Sequence, residues 1–326
     1  MDKIENIKRI KVDLLKLKPI EDQKNVYESY KKFLAQYFDE GLPDEKYFTS
    51  INCPLCDSNN DRTLAEIDSF FYIRCGNCSA IYNSPRIKKD FLEKMYREGE
   101  YNNYVTKLTM PGNEIRKNVT EVRKVEQVQS LFNNKGRILD VGCGAGVFLN
   151  IAQESGWNCT GIELSSAGSS AASEKGVNII EKSFDDYETD KKFDCITFWG
   201  VLEHVVNPIE QITKAASMLK KGGVIVFEVP SADSLLMQYV VQHGLVPYRF
   251  IESARHLTFF SHKSIDMICK EIDLSLEFIE SNGLDIQTIL LQEFEDEIIE
   301  KIMKIQQLVD ENLLSDHYRV FLRKKE

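Results

Sequence analysis

Three groups of residues in this chain have the types and spacing that chemistry requires. Cys53-Pro-Leu-Cys56 and Cys75-Gly-Asn-Cys78 stand eighteen residues apart. Two such turns, each presenting two thiolates, suit one tetrahedral four-sulfur zinc ion, and that ion is structural because no ligand position is left for water. A module of about 35 residues around it is too small to fold on its own apolar core and would depend on the metal. The second group is Asp140-x-Gly142-x-Gly144-x-Gly146, followed by Glu163. An acid just before the first glycine repels a pyrophosphate, so this turn is not the usual dinucleotide loop. It attracts an ammonium group, and bare glycine backbone lets a small zwitterion lie close. The third group is a pair of histidines, His204 and His256, whose ordinary pKa near neutrality suits proton transfer.

The surrounding pattern supplies elements to position these groups. Ile138, Leu139 and Val141 form a buried strand, Val147 to Ser155 a helix, and Cys159 to Leu164 a second strand with Glu163 at its tip, the layout that holds a ribose by its two hydroxyls. A helix over Ser166–Lys175, strands at Val177–Ile180, Phe193–Trp199 and Val224–Val229, and a helix from Pro208 to Lys220 continue a doubly wound sheet. Ligands collect at the carboxyl edge of such sheets, which puts Trp199, Glu203 and His204 near the chemistry. The tail reads as a helix over His262–Glu271, a strand at Leu274–Glu280, one long helix from Thr288 to Leu314 and a last strand at His317–Arg323. Residues 4 to 37 read as two amphipathic packing helices, and 113 to 132 as a helix leading into the first strand.

The runs LDVGCGAG, GIELS and WGVLEHVVNP together resemble the class I S-adenosylmethionine-dependent methyltransferases, in particular the ubiquinone-type and sugar-type O-methyltransferases with a similar Leu-Glu-His. The resemblance implies a seven-stranded Rossmann-like α/β sheet whose final strand lies antiparallel between the fifth and sixth. It implies S-adenosylmethionine with its ammonium at Asp140, its ribose on Glu163, and its adenine between Phe184 and Asp185. Segments before the first glycine motif often fold over the cofactor in that family. By residue type alone, Tyr96, Tyr101 and Tyr104 in that segment read as packed aromatics at a domain joint. Asp57 stands where many zinc ribbons have glycine. The run Arg255-His256-Leu-Thr-Phe-Phe-Ser261 resembles a phrase in sugar-modifying and natural-product methyltransferases, some of which are C-methyltransferases with Glu in place of Arg255.

The expected organisation is N-terminal helices over 1–50, a zinc ribbon over 51–84, and a methyltransferase domain over 85–326 with a lid at 231–261. That lid is rich in aromatic residues, Tyr248, Phe250, Phe259 and Phe260 among them, with Arg249 in their midst. The expected function is O-methylation of a sugar, sugar nucleotide or surface-glycan precursor, small or carrier-linked, with His256 or His204 as base. C-methylation of a keto-sugar and a non-catalytic scaffold with a relic cofactor fold are the alternatives. A net charge of −10 argues against nucleic acid as partner. No run approaches the ~20 apolar residues of a spanning helix, and the N-terminal stretch lacks a signal-peptide core. A cytoplasmic protein is expected, with Cys143, Cys159, Cys195 and Cys269 as reduced core or turn residues. The oligomeric state is open.

Overall fold

The computed structural model describes residues 20–98, 120–243, 250–290 and 295–325. The first of the two expected N-terminal helices, together with Tyr101, Tyr104, Tyr248 and Arg249, lies outside them. Helix α1 (Ile20–Leu34) precedes a hairpin of β1 (Asp61–Ile67) and β2 (Phe70–Cys75), whose turn residues Asp68 and Ser69 both hold positive φ, as tight hairpin turns demand. Strand β3 (Ile81–Ser84) pairs antiparallel with β2, and α2 (Lys89–Glu98) follows. Then come α3 (Val122–Ser130), β4 (Arg137–Val141), α4 (Val147–Glu154), β5 (Asn158–Glu163), α5 (Ser166–Ser173), β6 (Asn178–Glu181) and β7 (Phe193–Trp199). Helix α6 (Pro208–Met218), β8 (Leu219–Pro230), α7 (Leu235–His243), β9 (Thr258–Phe259), α8 (His262–Glu271), β10 (Leu274–Ser281), α9 (Asp285–Leu290), α10 (Asp296–Glu311) and β11 (His317–Lys324) complete the chain.

Seven strands form one sheet in the order β6-β5-β4-β7-β8-β11-β10. The pairs from β6 to β8 are parallel, and β11 is antiparallel between β8 and β10. The expected sheet and its reversed last strand are therefore present. Central β7 and β8 are apolar on both faces, with Ile196, Phe198, Ile225 and Phe227 buried on one side and Cys195, Val224 and Val226 on the other, as strands covered by helices on both sides must be. Among the described residues no helix is long and apolar enough to cross a membrane.

Two details depart from the sequence reading. The long helix expected from Thr288 to Leu314 is two helices, α9 and α10, and the extended backbone of Glu295 (φ −63, ψ 150) caps the second. The first is fixed by polar ties: the buried Asp285 accepts N–H bonds from Leu236 and Asp316 and a side-chain bond from Gln306. Helix α6 also stops at Met218, because Leu219 already pairs with Phe193 of β7.

The cysteine segment is joined to the rest of the molecule. Within the insertion, β9 adds to the small sheet in the order β9-β3-β2-β1, with Thr258 opposite Tyr82 and Phe259 opposite Ile81. Ser261, which caps α8, donates through Oγ to the carbonyl of Cys78 at 2.5 Å. Cys53, Cys75 and Cys78 share one apolar cluster with Leu139 and Phe198 of the large sheet. A second cluster joins Tyr30 and Leu34 of α1 to Phe70, Met237, Val240 and Phe250. Each large side chain fully buried there contributes about 1.5–3 kcal/mol, which holds the insertion down as folded structure. Arg86, 1 % exposed, ties three segments: it donates to Val206 O (2.8 Å), Leu257 O (2.7 Å) and Thr258 Oγ1 (2.9 Å). Burial pulls its pKa down to about 10.

Candidate active site

A cavity of about 500 Å³ opens at the carboxyl ends of β4, β5, β7 and β8. Its first wall is the glycine turn. Asp140, near the end of β4, is 2 % exposed and accepts a bond from Thr197 Oγ1 of neighbouring β7 at 2.6 Å. Burial pushes its carboxyl up to about 8, and a cation beside it would stabilise the charged form and pull it back down. Gly142 and Gly144 hold φ of +69° and +51°, a conformation that costs other residues energy. A Cβ on Gly142 would meet Val201 Cγ2 at 2.6 Å, whereas at Gly144 no atom stands within 4 Å. Gly144 thus leaves an open cradle. Gly146 caps α4 and faces Ala172; it does not line the cavity.

Glu163 closes the second wall. Its carboxylate accepts N–H bonds from Gly144 (2.8 Å) and Ser165 (2.7 Å), and burial pushes its pKa up against the pull of those amides. Two acceptor positions remain for a ligand's hydroxyls. Phe184 and Asp185 also line the cavity. Phe184 is buried edge-on against Phe198, while Asp185 is engaged by Lys89 at 2.6 Å and by Gln211. Trp199 forms the floor with its ring covered by Lys124 and Arg319, 4.7 and 5.4 Å from its centroid. A buried acid beside an open glycine cradle, a second buried acid and an aromatic edge could hold a ligand with an ammonium, a diol and a flat base.

Under this floor lies a charged lattice. Arg123 makes a two-pronged pair with Glu280 at 2.7 Å, and Arg319 reaches both Glu280 and Glu228. Burial raises the Glu228 pKa, but Arg319 and Lys124 outweigh it and hold the group at about 2. The lattice fixes the ends of β8, β10 and β11, and Glu228 reaches the cavity.

The far wall carries the histidines. His204 ends a short turn after β7, and His256 lies in the insertion; their rings are 4.8 Å apart. Nδ1 of His204 meets Arg255 O at 2.9 Å, and Nδ1 of His256 meets Phe250 O at 2.7 Å. A carbonyl only accepts, so Nδ1 carries the hydrogen and Nε2 is left with a lone pair. Burial lowers both pKa values, that of His256 to about 4, which keeps the rings neutral. Glu203 is 2 % exposed, its Oε2 has no hydrogen-bond partner, and burial raises it to about 8.

The sequence reading did not name His317 as a cavity residue, and it treated Tyr96 as packing. Tyr96 is packed, edge-on to His204 at 6.2 Å, but it also lines the cavity. His317 arrives because β11 runs antiparallel to β8 and places its first residue opposite Pro230 at the carboxyl edge. That position follows from the expected reversed strand and could have been found from it.

Away from the cavity, Cys53 and Cys78 sulfurs are 3.5 Å apart, Cys56 and Cys75 sulfurs 3.6 Å, and all four lie within 4.8 Å of one another. Asp57 and Ser79, the residues after the two turns, both hold positive φ (52° and 63°). The spacing of the sulfurs is that of a tetrahedron about one ion, with zinc–sulfur bonds of about 2.3 Å, so these residues could hold it.

A family model described as a methyltransferase domain matches residues 113–277. The chain is 28% identical over 186 residues to a ubiquinone biosynthesis O-methyltransferase of Hydrogenovibrio crunogenus, covering 53% of this chain and 74% of that protein. It is 32% identical over 114 residues to the enzyme of that name in Actinobacillus pleuropneumoniae serotype 7, covering 31% and 48%, so it spans about half of that relative. An uncharacterized protein of Methanocaldococcus jannaschii is 30% identical over 154 residues, 43% of this chain and 72% of that one. Among solved structures, the plantazolicin methyltransferase BpumL in complex with a monoazolic desmethylPZN analog and SAH superposes with a TM-score of 0.51 at 13% identity, covering 72% of this chain and 94% of that one. Magnesium protoporphyrin IX methyltransferase from Synechocystis PCC 6803 with bound SAH gives 0.50 at 12% identity, with coverage of 73% and 99%; such likeness speaks to fold. With the family match over half its length and the sheet in place, the chain belongs to the methyltransferase-domain family and is a class I S-adenosylmethionine-dependent methyltransferase.

Proposed function

We propose that the protein methylates a hydroxyl oxygen of a sugar, sugar nucleotide or surface-glycan precursor, and that a zinc ion in the four-cysteine cluster is structural. S-adenosylmethionine, when bound, supplies an electrophilic methyl carbon on a sulfonium. Asp140 would hold its ammonium, Gly142 and Gly144 its carboxylate end, Glu163 its ribose diol, and Phe184 its adenine ring. Asp185 meets the adenine amino group in this reading only by sharing its carboxylate with Lys89 and Gln211. Gly146 acts indirectly, by starting α4 against Ala172.

The observation that carries O-methylation is the pair of neutral imidazoles, His204 and His256, each locked through Nδ1 to a carbonyl with Nε2 left to accept. An incoming hydroxyl needs a proton acceptor as its oxygen approaches the methyl carbon to about 3 Å in line with the leaving sulfur. Tyr96 and Trp199 line the cavity in which that approach would take place. The related ubiquinone biosynthesis O-methyltransferases support O-methylation as well, though of a different acceptor. The test is to incubate purified protein with S-adenosylmethionine and extracts of cells lacking it, and to look for products heavier by one methyl group. Methyl incorporation only at carbon, or none while S-adenosylmethionine binds in calorimetry, would overturn the reading.

A further inference from the structure

His317 differs from the other two cavity histidines in what holds its ring. Nδ1 of His204 and Nδ1 of His256 each meet a backbone carbonyl, whereas Nδ1 of His317 meets Oδ1 of Asp316 at 2.6 Å. A carbonyl orients a neutral imidazole; a carboxylate orients the ring and also offsets the charge of an imidazolium. Asp316 is 1 % exposed and braced on several sides. Its Oδ2 accepts the N–H of Leu284 at 3.1 Å, its own N–H donates to Asp285 at 3.0 Å, and its carbonyl accepts the N–H of Ser231 at 2.7 Å. The His317 carbonyl in turn accepts the N–H of Asn282 at 2.9 Å. The dyad is thereby fixed at the carboxyl edge of the sheet, with the His317 ring in the cavity wall and edge-on to Phe250 at 6.3 Å.

A proton that leaves a hydroxyl inside this cavity needs a place to stay. His204 and His256 can accept a hydrogen bond through Nε2, but a cation on the His204 ring would be buried beside His256 and Arg255, both of which oppose it. Glu203, 3.8 Å from His204 Nε2, has its carboxyl pushed up to about 8 by burial, so near neutral pH it is mostly protonated and offers little counter-charge. Glu252, which favours a cation on His256, is itself paired with Arg255 at 2.9 Å. The titratable groups that face His317 are Glu203 from the turn after β7, Glu228 from β8 and His256 from the insertion. Arg319 follows on the same face of β11 and is paired with Glu228. Asp316 supplies the anion in direct contact with the His317 ring.

We propose that His317, oriented by Asp316, takes the proton of the acceptor hydroxyl, and that His204 and His256 align the acceptor by accepting hydrogen bonds from it. The inference rests on the O-methylation reading and deepens it, by separating the residues that aim the oxygen from the residue that deprotonates it. The O–H bond breaks toward His317 Nε2 as the oxygen bonds the methyl carbon. The electron pair of the broken carbon–sulfur bond goes to sulfur, and the imidazolium afterwards gives its proton to water.

The test uses the full chain with S-adenosylmethionine and extracts of cells lacking the protein, and O-methyl products are followed by mass. H317Q should lower their formation about 100-fold or more, with S-adenosylmethionine affinity in calorimetry unchanged to about twofold. H317A should regain turnover when imidazole is added. D316N should slow turnover and move the acid limb of the pH profile to lower pH, because a base acts unprotonated and an amide no longer offsets the imidazolium charge. The His317 side chain is 24 % exposed, so H317Q and H317A carry the test if D316N fails to fold. A folded H317Q with the wild-type rate overturns the inference and leaves O-methylation standing, as does an acid limb that stays in place in a folded D316N. Wild type that binds S-adenosylmethionine and methylates carbon alone overturns the O-methylation reading itself.

Discussion

Two side-chain clusters sit on the same molecule with opposite construction. The four cysteines surround a point from all sides, and three of them are buried in the apolar cluster of the large sheet. Glu203, His204 and His256 surround a point from one side only and face a cavity. A closed set of ligands returns its binding energy to the fold, whereas an open set keeps lone pairs unsatisfied for something that arrives later. In the zinc reading proposed above the first cluster serves stability, whereas the second keeps a buried acid oxygen without a hydrogen-bond partner.

The largest effect should come from breaking the closed cluster. C75A is expected to lose the zinc and at least 3 kcal/mol of stability, because Cys75 shares its apolar cluster with Leu139 and Phe198. Metal content with denaturant unfolding measures this, and an unchanged midpoint would dissolve the distinction between the two clusters. E203Q should do the opposite: turnover falls about 100-fold, while the midpoint stays put or rises, since an unpartnered buried acid is replaced by a neutral amide of the same shape. A midpoint that falls as far as in C75A would mean that the open cluster is structural too.

E228Q tests the lattice under the cavity floor and should cost about 2 kcal/mol at pH 7. The folded carboxyl is held at about 2, below its ordinary value, so its stabilisation is complete above the unfolded pKa and is lost as pH falls toward 2. Unfolding curves of E228Q and wild type should therefore converge between pH 4.5 and 2, using the ordinary 4.5 as the upper bound. Parallel curves across that range would place the ion pairs outside the stability balance. The smallest effect is that of G144A. Its Cβ enters open space, so S-adenosylmethionine affinity should fall about tenfold, with about 1 kcal/mol lost to the positive φ. Calorimetry that shows the full affinity would move the ligand away from this turn.

What the sequence disclosed follows from how local each site is. The glycine turn and Glu163 sit within one βαβ unit, so ligand character and position could be inferred from about 25 consecutive residues. The cysteine pairs are as local. The acceptor wall is assembled from Tyr96, His204, His256 and His317, which lie on four segments and meet only after β9 joins the small sheet and β11 reverses beside β8. Residue type gave two histidines a candidate role, but spacing could not say that they and Glu203 converge. Tyr96 illustrates the gap: an aromatic in a weakly periodic stretch carries no direction, and its two faces, one packed and one lining, are tertiary facts. The split of the Thr288–Leu314 run was hidden for a similar reason, since Asp285 is tied by Leu236 and Asp316, both distant in sequence.

Arg86 follows the last strand of the cysteine segment by two residues and grips the loops beside both histidines, at Val206 and at Leu257. The gap between His204 and His256 is therefore measured off from outside the catalytic sheet. The cysteine segment, Arg86 and the insertion are thereby coupled as one unit in setting that gap. A chimera that takes the lid alone should keep its cofactor and lose its aim.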